Sequence, residues 1–309
     1  VDDSLRHHCR LINRRIGEGK VIPFLGAGAN LCERPAGADW RSGNYLPSGA
    51  ELADYLAESY EYPEHESRDL VRVSQYVDLE MGGEAALYDE LHPLFTGDYQ
   101  PNKLHRFLAE RPAHHRAKGL STACQLIVTT NYDDALERAF MAAEEPFDLV
   151  YYAAEPDEPG RFVHVRPDGT RRPIPRHTDY REFSLDERTV ILKIHGGVDR
   201  GDEVADSYVI TEDNYIDYLA HGNLSKLIPA YLMARMRTSH FLFLGYGMRD
   251  WNLRVILHHV WSQQVRRFGS WAIQVEPDPI DEKFWQRHRV EIVAARLEDW
   301  VDAMREEEQ

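Results

Sequence analysis

At 309 residues the chain is near the upper limit for one hydrophobic core, so one main domain with insertions, or with a small lobe, is expected. A content of 43% hydrophobic and 28% charged residues excludes a disordered chain, and a formal charge of −16 sets the surface field against nucleic-acid phosphates. No apolar run of about 18 residues is present to cross a bilayer, so neither membrane nor direct nucleic-acid binding is expected.

Ser4 to Ile16 has the spacing of an amphipathic helix that buries Leu5, Leu11, Ile12 and Ile16. Gly17 and Gly19 end it. The opening VDDSLRHHCR lacks the apolar stretch of a signal peptide, and a cytoplasmic location is the expectation. Val21 to Leu25 is the first strand; Pro23 cannot donate to a ladder, which calls for a bulge or a one-sided pairing. Next comes Gly26-Ala27-Gly28-Ala29-Asn30. Glycines at a strand end let the backbone approach a pyrophosphate, and a helix N-terminus beyond them adds donors and a positive dipole end. The third glycine of the dinucleotide fingerprint is missing, and no acidic residue ends a second strand some 20 residues on. Hydride-transfer enzymes therefore fit poorly, and a tight structural turn is the alternative reading of these glycines.

Residues 31–120 read as a helical insertion, or small lobe, after the first strand. Ser48 caps a helix from Gly49 to about Tyr60, with Glu51 completing a capping box. Further helical patterns run over Arg68–Leu79, Glu84–Phe95 and Lys103–Glu110. The block from Leu46 to Glu110 is placed to cover a site and to carry substrate choice.

The stretch Gln125 to Phe140, QLIVTTNYDDALERAF, organises the rest. Leu126 to Val128 is the apolar run of a buried parallel strand, and Ala135, Leu136, Ala139 and Phe140 fall at helical spacing. The chain turns around Asn131. Thr129 to Asp133, Thr130 included, then lie at a carboxyl strand end, where open α/β sheets bind ligands. On this stretch alone, Asn131 or Asp133 serving only as a helix cap is an equal reading.

Residues 145–188 form a hairpin-bearing excursion, strand-like at Leu149–Tyr152 and Phe162–Val165, with a turn at Pro167-Asp168-Gly169. The Val190–Ile194 strand ends in His195-Gly196-Gly197. A lone histidine there reads as a core residue. Beside Asn131 it can take or share a proton from a ribose hydroxyl or a water, while the Asn amide orients one. Helices follow at Glu212–Leu219 and Leu224–Arg237, the second irregular at Pro229. The Phe241–Leu244 strand enters Gly245-Tyr246-Gly247, and a helix runs from Asp250 to Arg267. That turn offers backbone N–H groups to a ribose or phosphate, or is only a strand-to-helix turn. Trp271–Val275 and Val290–Ala294 are late strands, and a last helix starts at Leu297. Strand and helix alternate throughout, which predicts the α/β class with a Rossmann-like, mostly parallel sheet and a helical insertion after the first strand.

Cleaving nicotinamide from ribose passes through an oxocarbenium-like transition state, and the leaving group is already a good one. One His, one Asn and a glycine-rich phosphate grip suffice, without a strong general acid. Taken together and in this order, GAGAN, TTNYD, KIHG and FLGYGMRDWNL, from Gly26 to Leu253, resemble the sirtuin fold, and within it the bacterial sirtuin-like NAD-consuming branch linked to phage defence.

The resemblance implies a single sirtuin-like NAD-binding domain over residues 1–309, with NAD as substrate. Gly26, Ala27, Gly28, Ala29 and Asn30 match the phosphate loop. Asn131 matches the residue that holds the nicotinamide ribose and positions water, with Thr130 beside it, and Tyr132 and Asp133 match contacts to the carboxamide. His195 matches the catalytic histidine. Gly245, Tyr246 and Gly247 match a loop on the adenosine side, although Tyr246-Gly247 depart from the Thr-Ser of deacetylases. Protein-deacetylating sirtuins also carry a four-cysteine zinc module, whereas Cys9, Cys32 and Cys124 are the only cysteines and form no CxxC pair. No zinc or other metal is expected, so hydrolysis of NAD to nicotinamide and ADP-ribose is favoured over NAD-dependent protein deacylation. A non-catalytic NAD- or ADP-ribose-binding assembly subunit is the third reading. Stand-alone members of this size are similar to partners of a HerA-type hexameric ATPase, which implies a homo-oligomer and such a partner.

Overall fold

The computed structural model describes residues 3–119, 124–155, 158–175, 177–220, 227–248, 251–261 and 269–308. Four short apolar runs are buried at every position: Val21–Leu25 (β1), Leu126–Thr129 (β2), Thr189–Lys193 (β6) and His240–Leu244 (β9). Strands with both faces buried belong inside a parallel sheet covered by helices. Among the described residues they join Phe147–Glu155 (β3), Glu158–Val165 (β4), Arg171–Pro173 (β5), Ser270–Gln274 (β10) and Val290–Ala294 (β11) in one nine-stranded sheet, ordered β11-β10-β9-β1-β2-β6-β3-β4-β5. Pairing is parallel from β11 through β3, and β4 and β5 return antiparallel. This is the expected Rossmann-like sheet.

Successive strand residues point to opposite faces. Ile22, Phe24, Val128, Leu192 and Phe243 pack on one face with Tyr218 of α7 (Glu212–Ala220), Met236 of α8 (Ala230–Arg237), Leu257 of α9 (Trp251–Trp261) and Trp285 of α10 (Pro279–Arg287). Val21, Leu25, Ile127, Ile191 and Leu244 pack on the other. There they meet Ile12 of α1 (Asp3–Gly17), Phe107 of α5 (Lys103–Ala117), Phe140 of α6 (Ala135–Ala142) and Trp300 of α11 (Leu297–Glu308). Pro23 is accommodated one-sidedly: it is in register with Leu242 of β9, while the ladder to β2 begins only at Phe24.

Between β1 and β2 lie α2 (Gly49–Ser59), α3 (Leu70–Met81), α4 (Glu84–Phe95) and α5. Leu52, Leu56, Val73, Val77, Leu87 and Leu91 of this block form a separate core with Ala135, Tyr208 and Ile210. The capping box is present: Ser48 Oγ accepts from Glu51 N at 3.3 Å, and Ser48 N donates to Glu51 Oε2 at 2.8 Å. Ser48→Ala should lower the urea midpoint by the equivalent of about 1 kcal/mol with an unchanged slope. An unshifted midpoint would show that the cap adds nothing.

The structure departs from the sequence reading at several ends. No α-helix follows Gly26; a five-residue 3-10 turn, Ala27–Leu31, does, and it closes where Cys32 returns to extended backbone. Helix α5 runs past Glu110 to Ala117 despite Pro112, because Arg111, Pro112 and His115 are buried against its neighbours. Pro229 is not inside a helix but caps α8. Helix α10 was not expected at all, although Asp278 Oδ1 accepts from Ile280 N at 2.8 Å and Pro279 opens the first turn. The short hairpin of β7 (Gly196–Gly197) and β8 (Ser207–Tyr208) was also missed. Expected helical residues 224–226, Asp250 and 262–267 lie outside the described residues.

Candidate functional site

The tips of β9, β1, β2 and β6 are neighbours in the sheet, and the chain order reverses direction at β1. Crevices at such a switch point are where open α/β sheets bind ligands. A cavity of about 490 Å³ opens there. Gly26, Ala27, Gly28 and Asn30 line it from β1, Thr130, Asn131, Tyr132 and Asp133 from β2, His195 from β6, and Gly245, Tyr246 and Gly247 from β9. Ala29 alone of the expected contacts is off the wall; its side chain lies in the core and its carbonyl accepts from Asn102 Nδ2 at 2.8 Å. Residues of α2, α3 and α4, including Leu52, Leu70 and Phe95, complete the lining. A second cavity of about 850 Å³ shares Gly28, Ser48 and Gly245 to Gly247 and extends towards Gln274 and Glu276 beyond β10.

The glycines answer first to one another. Gly28 N donates to Gly245 O at 2.8 Å, and Gly26 N donates to Leu244 O at 3.1 Å. A Cβ on Gly28 would stand 2.7 Å from Gly245 O, and Gly245 itself has φ +66°. Tyr246 covers Gly26 and meets the Phe24 ring edge-on at 5.5 Å. The close crossing of two loops therefore requires small residues here, which is the structural-turn reading in atomic form.

Three buried polar atoms on this wall have no hydrogen-bond partner among the described residues: Asn30 Oδ1, Asn131 Oδ1 and His195 Nε2. Asn131 N donates to Thr129 Oγ1 at 3.0 Å. His195, 2% exposed, stands between the rings of Tyr215 and Tyr218, with Nδ1 at 3.4 Å from the Tyr215 hydroxyl. With the proton on Nδ1, Nε2 is a bare acceptor. Burial pushes the imidazole down to about 3, so it is neutral at ordinary pH. Asp133 is partly a cap: Oδ1 accepts from Ala135 N at 3.0 Å, and Oδ2 accepts from Asn30 Nδ2 at 2.8 Å. Tyr132 sends its hydroxyl to Val209 O at 2.7 Å and packs its ring on Phe95 and Tyr208.

Sequence reasoning missed Lys193, which bonds the carbonyls of Tyr132 and Asp133 and the Glu137 carboxylate. A lysine inside the apolar VILKI run was the available signal. Asn102, which caps α5 and grips the glycine turn, carried only an ordinary cap signature.

Burial also pushes His8 and His105 down to about 4. In the unfolded chain each histidine titrates near 6.5, so below that pH the unfolded state binds protons the folded state refuses. Stability is full above about pH 6.5 and should fall below it by up to about 1.4 kcal/mol per pH unit for each of these histidines and for His195, down to about pH 4 for the first two and about pH 3 for His195. Urea midpoints measured from pH 7 to pH 4.5 test this; a flat profile would refute it.

The pattern of the SIR2-like domain matches residues 125–293, more than half of the chain. The chain belongs to the SIR2-like family. Asn131, His195 and Gly245 to Gly247 fall inside the matched segment of the SIR2-like domain, and the Gly26 turn precedes it. Over 292 residues, 91% of the chain, it is 26% identical to "Defense-associated sirtuin 2" of Bacillus subtilis. It is also 26% identical to "NAD(+) hydrolase ThsA" of Enterococcus faecium over 246 residues, 79% of the chain. It spans only 23% of the length of the first relative and 41% of the second. Among the described residues no group of three or more His, Cys, Asp or Glu side chains is arranged to hold a metal, and no helix is long and apolar enough to cross a membrane.

Proposed function

We propose that this SIR2-like chain hydrolyses NAD to nicotinamide and ADP-ribose and acts as an NAD-depleting effector in antiphage defence. The observation that carries the reading is the set of unpartnered atoms, Asn131 Oδ1, His195 Nε2 and Asn30 Oδ1, on one cavity wall at the sheet's switch point. Buried polar groups left unpaired cost about 1–3 kcal/mol each, so such a cluster fits a polar ligand that completes it. The name of the NAD(+) hydrolase relative supports the substrate, and that of the defense-associated sirtuin supports the role in defence.

In this reading Asn131 orients the nicotinamide ribose and the attacking water. His195, neutral, accepts the proton of a ribose hydroxyl or of that water at Nε2. Nicotinamide departs as a neutral pyridine, so no side chain has to protonate it, and the developing positive charge sits on the ribose. The phosphates lie along the cavity wall at the Gly26–Gly28 turn, whose Gly26 and Gly28 N–H groups are already held by Leu244 and Gly245, and the wider cavity towards Gln274 takes the adenosine half. The helical insertion over residues 31–120 covers the nicotinamide end through α2, α3 and α4. Assembly as a homo-oligomer, with a HerA-type ATPase as partner, belongs to the same proposal.

Chromatography of NAD incubated with the protein, alone and with its co-purifying partners, tests it. Free ADP-ribose and nicotinamide in equal amounts are expected. Acyl-ADP-ribose formed from an acylated peptide would replace this reading with a deacylase, and bound but intact NAD under both conditions would leave only a binding subunit.

A further inference from the structure

We propose that Lys193 is a positioning residue for this reaction: its ammonium, passing beside Gly197, holds the loop after Asn131 in register with His195. The proposal rests on the hydrolase reading above. Lys193 lies in the middle of the sheet at 1% exposure, on the face that packs α6. A charge in such a place costs several kcal/mol unless it is fully paired. One carboxylate would neutralise it, and Glu137 Oε1 is 2.8 Å away. The other two N–H groups are spent differently. They reach Asp133 O at 2.6 Å and Tyr132 O at 3.2 Å, the two carbonyls that follow Asn131 in the chain.

A second bond closes the arrangement. Val198 N donates to Tyr132 O at 2.8 Å. The chain leaving β6 is thus fastened to the chain leaving β2 both before His195, by Lys193, and after it, by Val198. Gly197 belongs to the same device. A Cβ there would stand 2.5 Å from Lys193 Cε, 2.7 Å from Nζ and 3.1 Å from Tyr132 O. Its hydrogen is the space the ammonium occupies. Lys193 and Gly197 therefore act together on the two side chains assigned to the chemistry, without touching substrate.

Lys193→Met, Gly197→Ala and Glu137→Gln separate positioning from bulk stability. The first two remove or displace the ammonium, and the third leaves it on the carbonyls. Three readouts are compared: kcat and KM for nicotinamide release, thermal unfolding, and amide hydrogen exchange of the segment 129–135. A displacement of about 1 Å at a reacting group costs about 100-fold in rate. Lys193→Met and Gly197→Ala are expected to lose about that factor in kcat, with KM within about threefold, and to exchange faster across the segment. Glu137→Gln is expected to lose no more than about fivefold, whatever its melting temperature, because two of the three bonds persist. Equal losses in all three variants that track their melting temperatures would overturn the proposal, as would unchanged exchange in Lys193→Met. Should Lys193→Met not fold, Gly197→Ala carries the same comparison. If the unmodified protein cleaves no NAD, the hydrolase reading fails, and the exchange data still decide whether Lys193 holds the loop.

Discussion

Nicotinamide release by His195→Ala is expected to fall about 10²- to 10⁴-fold, the range a positioned proton acceptor contributes, with Asn131→Ala falling comparably. Both side chains border the 490 Å³ cavity, and each presents an atom that no described residue satisfies. The imidazole is 2% exposed and uncharged, so its loss removes an acceptor and not a buried cation, and folding should survive it. Asn131 keeps its backbone bond to Thr129 Oγ1 after truncation, so the turn has a local reason to persist. Turnover lost in protein that still folds is the expected pair of results, the His195 variant melting lower because its ring leaves a cavity between Tyr215 and Tyr218. Turnover above a tenth of normal in either variant would remove that residue from the chemistry.

The largest stability effect is expected at Gly245. Its φ of +66° costs a side-chain-bearing residue about 1–2 kcal/mol, and an added Cβ would fall well inside contact distance of Ala29 N and Gly28 C. Both obstacles are backbone, tied by the Gly28–Gly245 hydrogen bond, so neither can swing aside as a side chain would. Gly245→Ala should therefore cost about 3 kcal/mol or more and lower the melting temperature by about 6 °C or more. Gly247→Ala is the control. Nothing lies within 4 Å of a Cβ there and its φ is not positive, so Gly247→Ala should be neutral or stabilising by up to about 1 kcal/mol. Similar melting temperatures for the two variants would show that the loops do not need to cross so closely.

Much of this architecture was legible because it depends on local chemistry. Buried runs such as Val190–Leu192 and Phe241–Leu244 read as parallel strands, and Ser48 with Glu51 announced a helix start whose two reciprocal bonds both form. The four tips were readable for the same reason: a polar or glycine residue at the end of an apolar run stands out. What could not be read is which atoms meet across distant segments. Asn30 and Asp133 bond at 2.8 Å across 103 positions, and no periodicity encodes that. Ala29 was placed with the phosphate loop by the resemblance of GAGAN as a whole, and no pattern in the sequence told that the 3-10 turn sets its side chain in the core. Lys193 was hidden by the opposite effect, since a charge within an apolar strand registers as noise until its three acceptors are seen. Helix α10 was readable and missed, for Asp278-Pro279 is an ordinary start signal placed after a stretch that looked like loop.

The central place of β1 has a temporal side. Val21 to Leu25 lie in full register beside His240 to Leu244, a partner more than two hundred positions downstream. A ribosome adding about 5–20 residues per second delivers that partner on the order of ten seconds after the loop at Asn131 has emerged. Until then the nascent polypeptide has no Gly245 to close the groove, and the cavity wall at Asn131 stands half built.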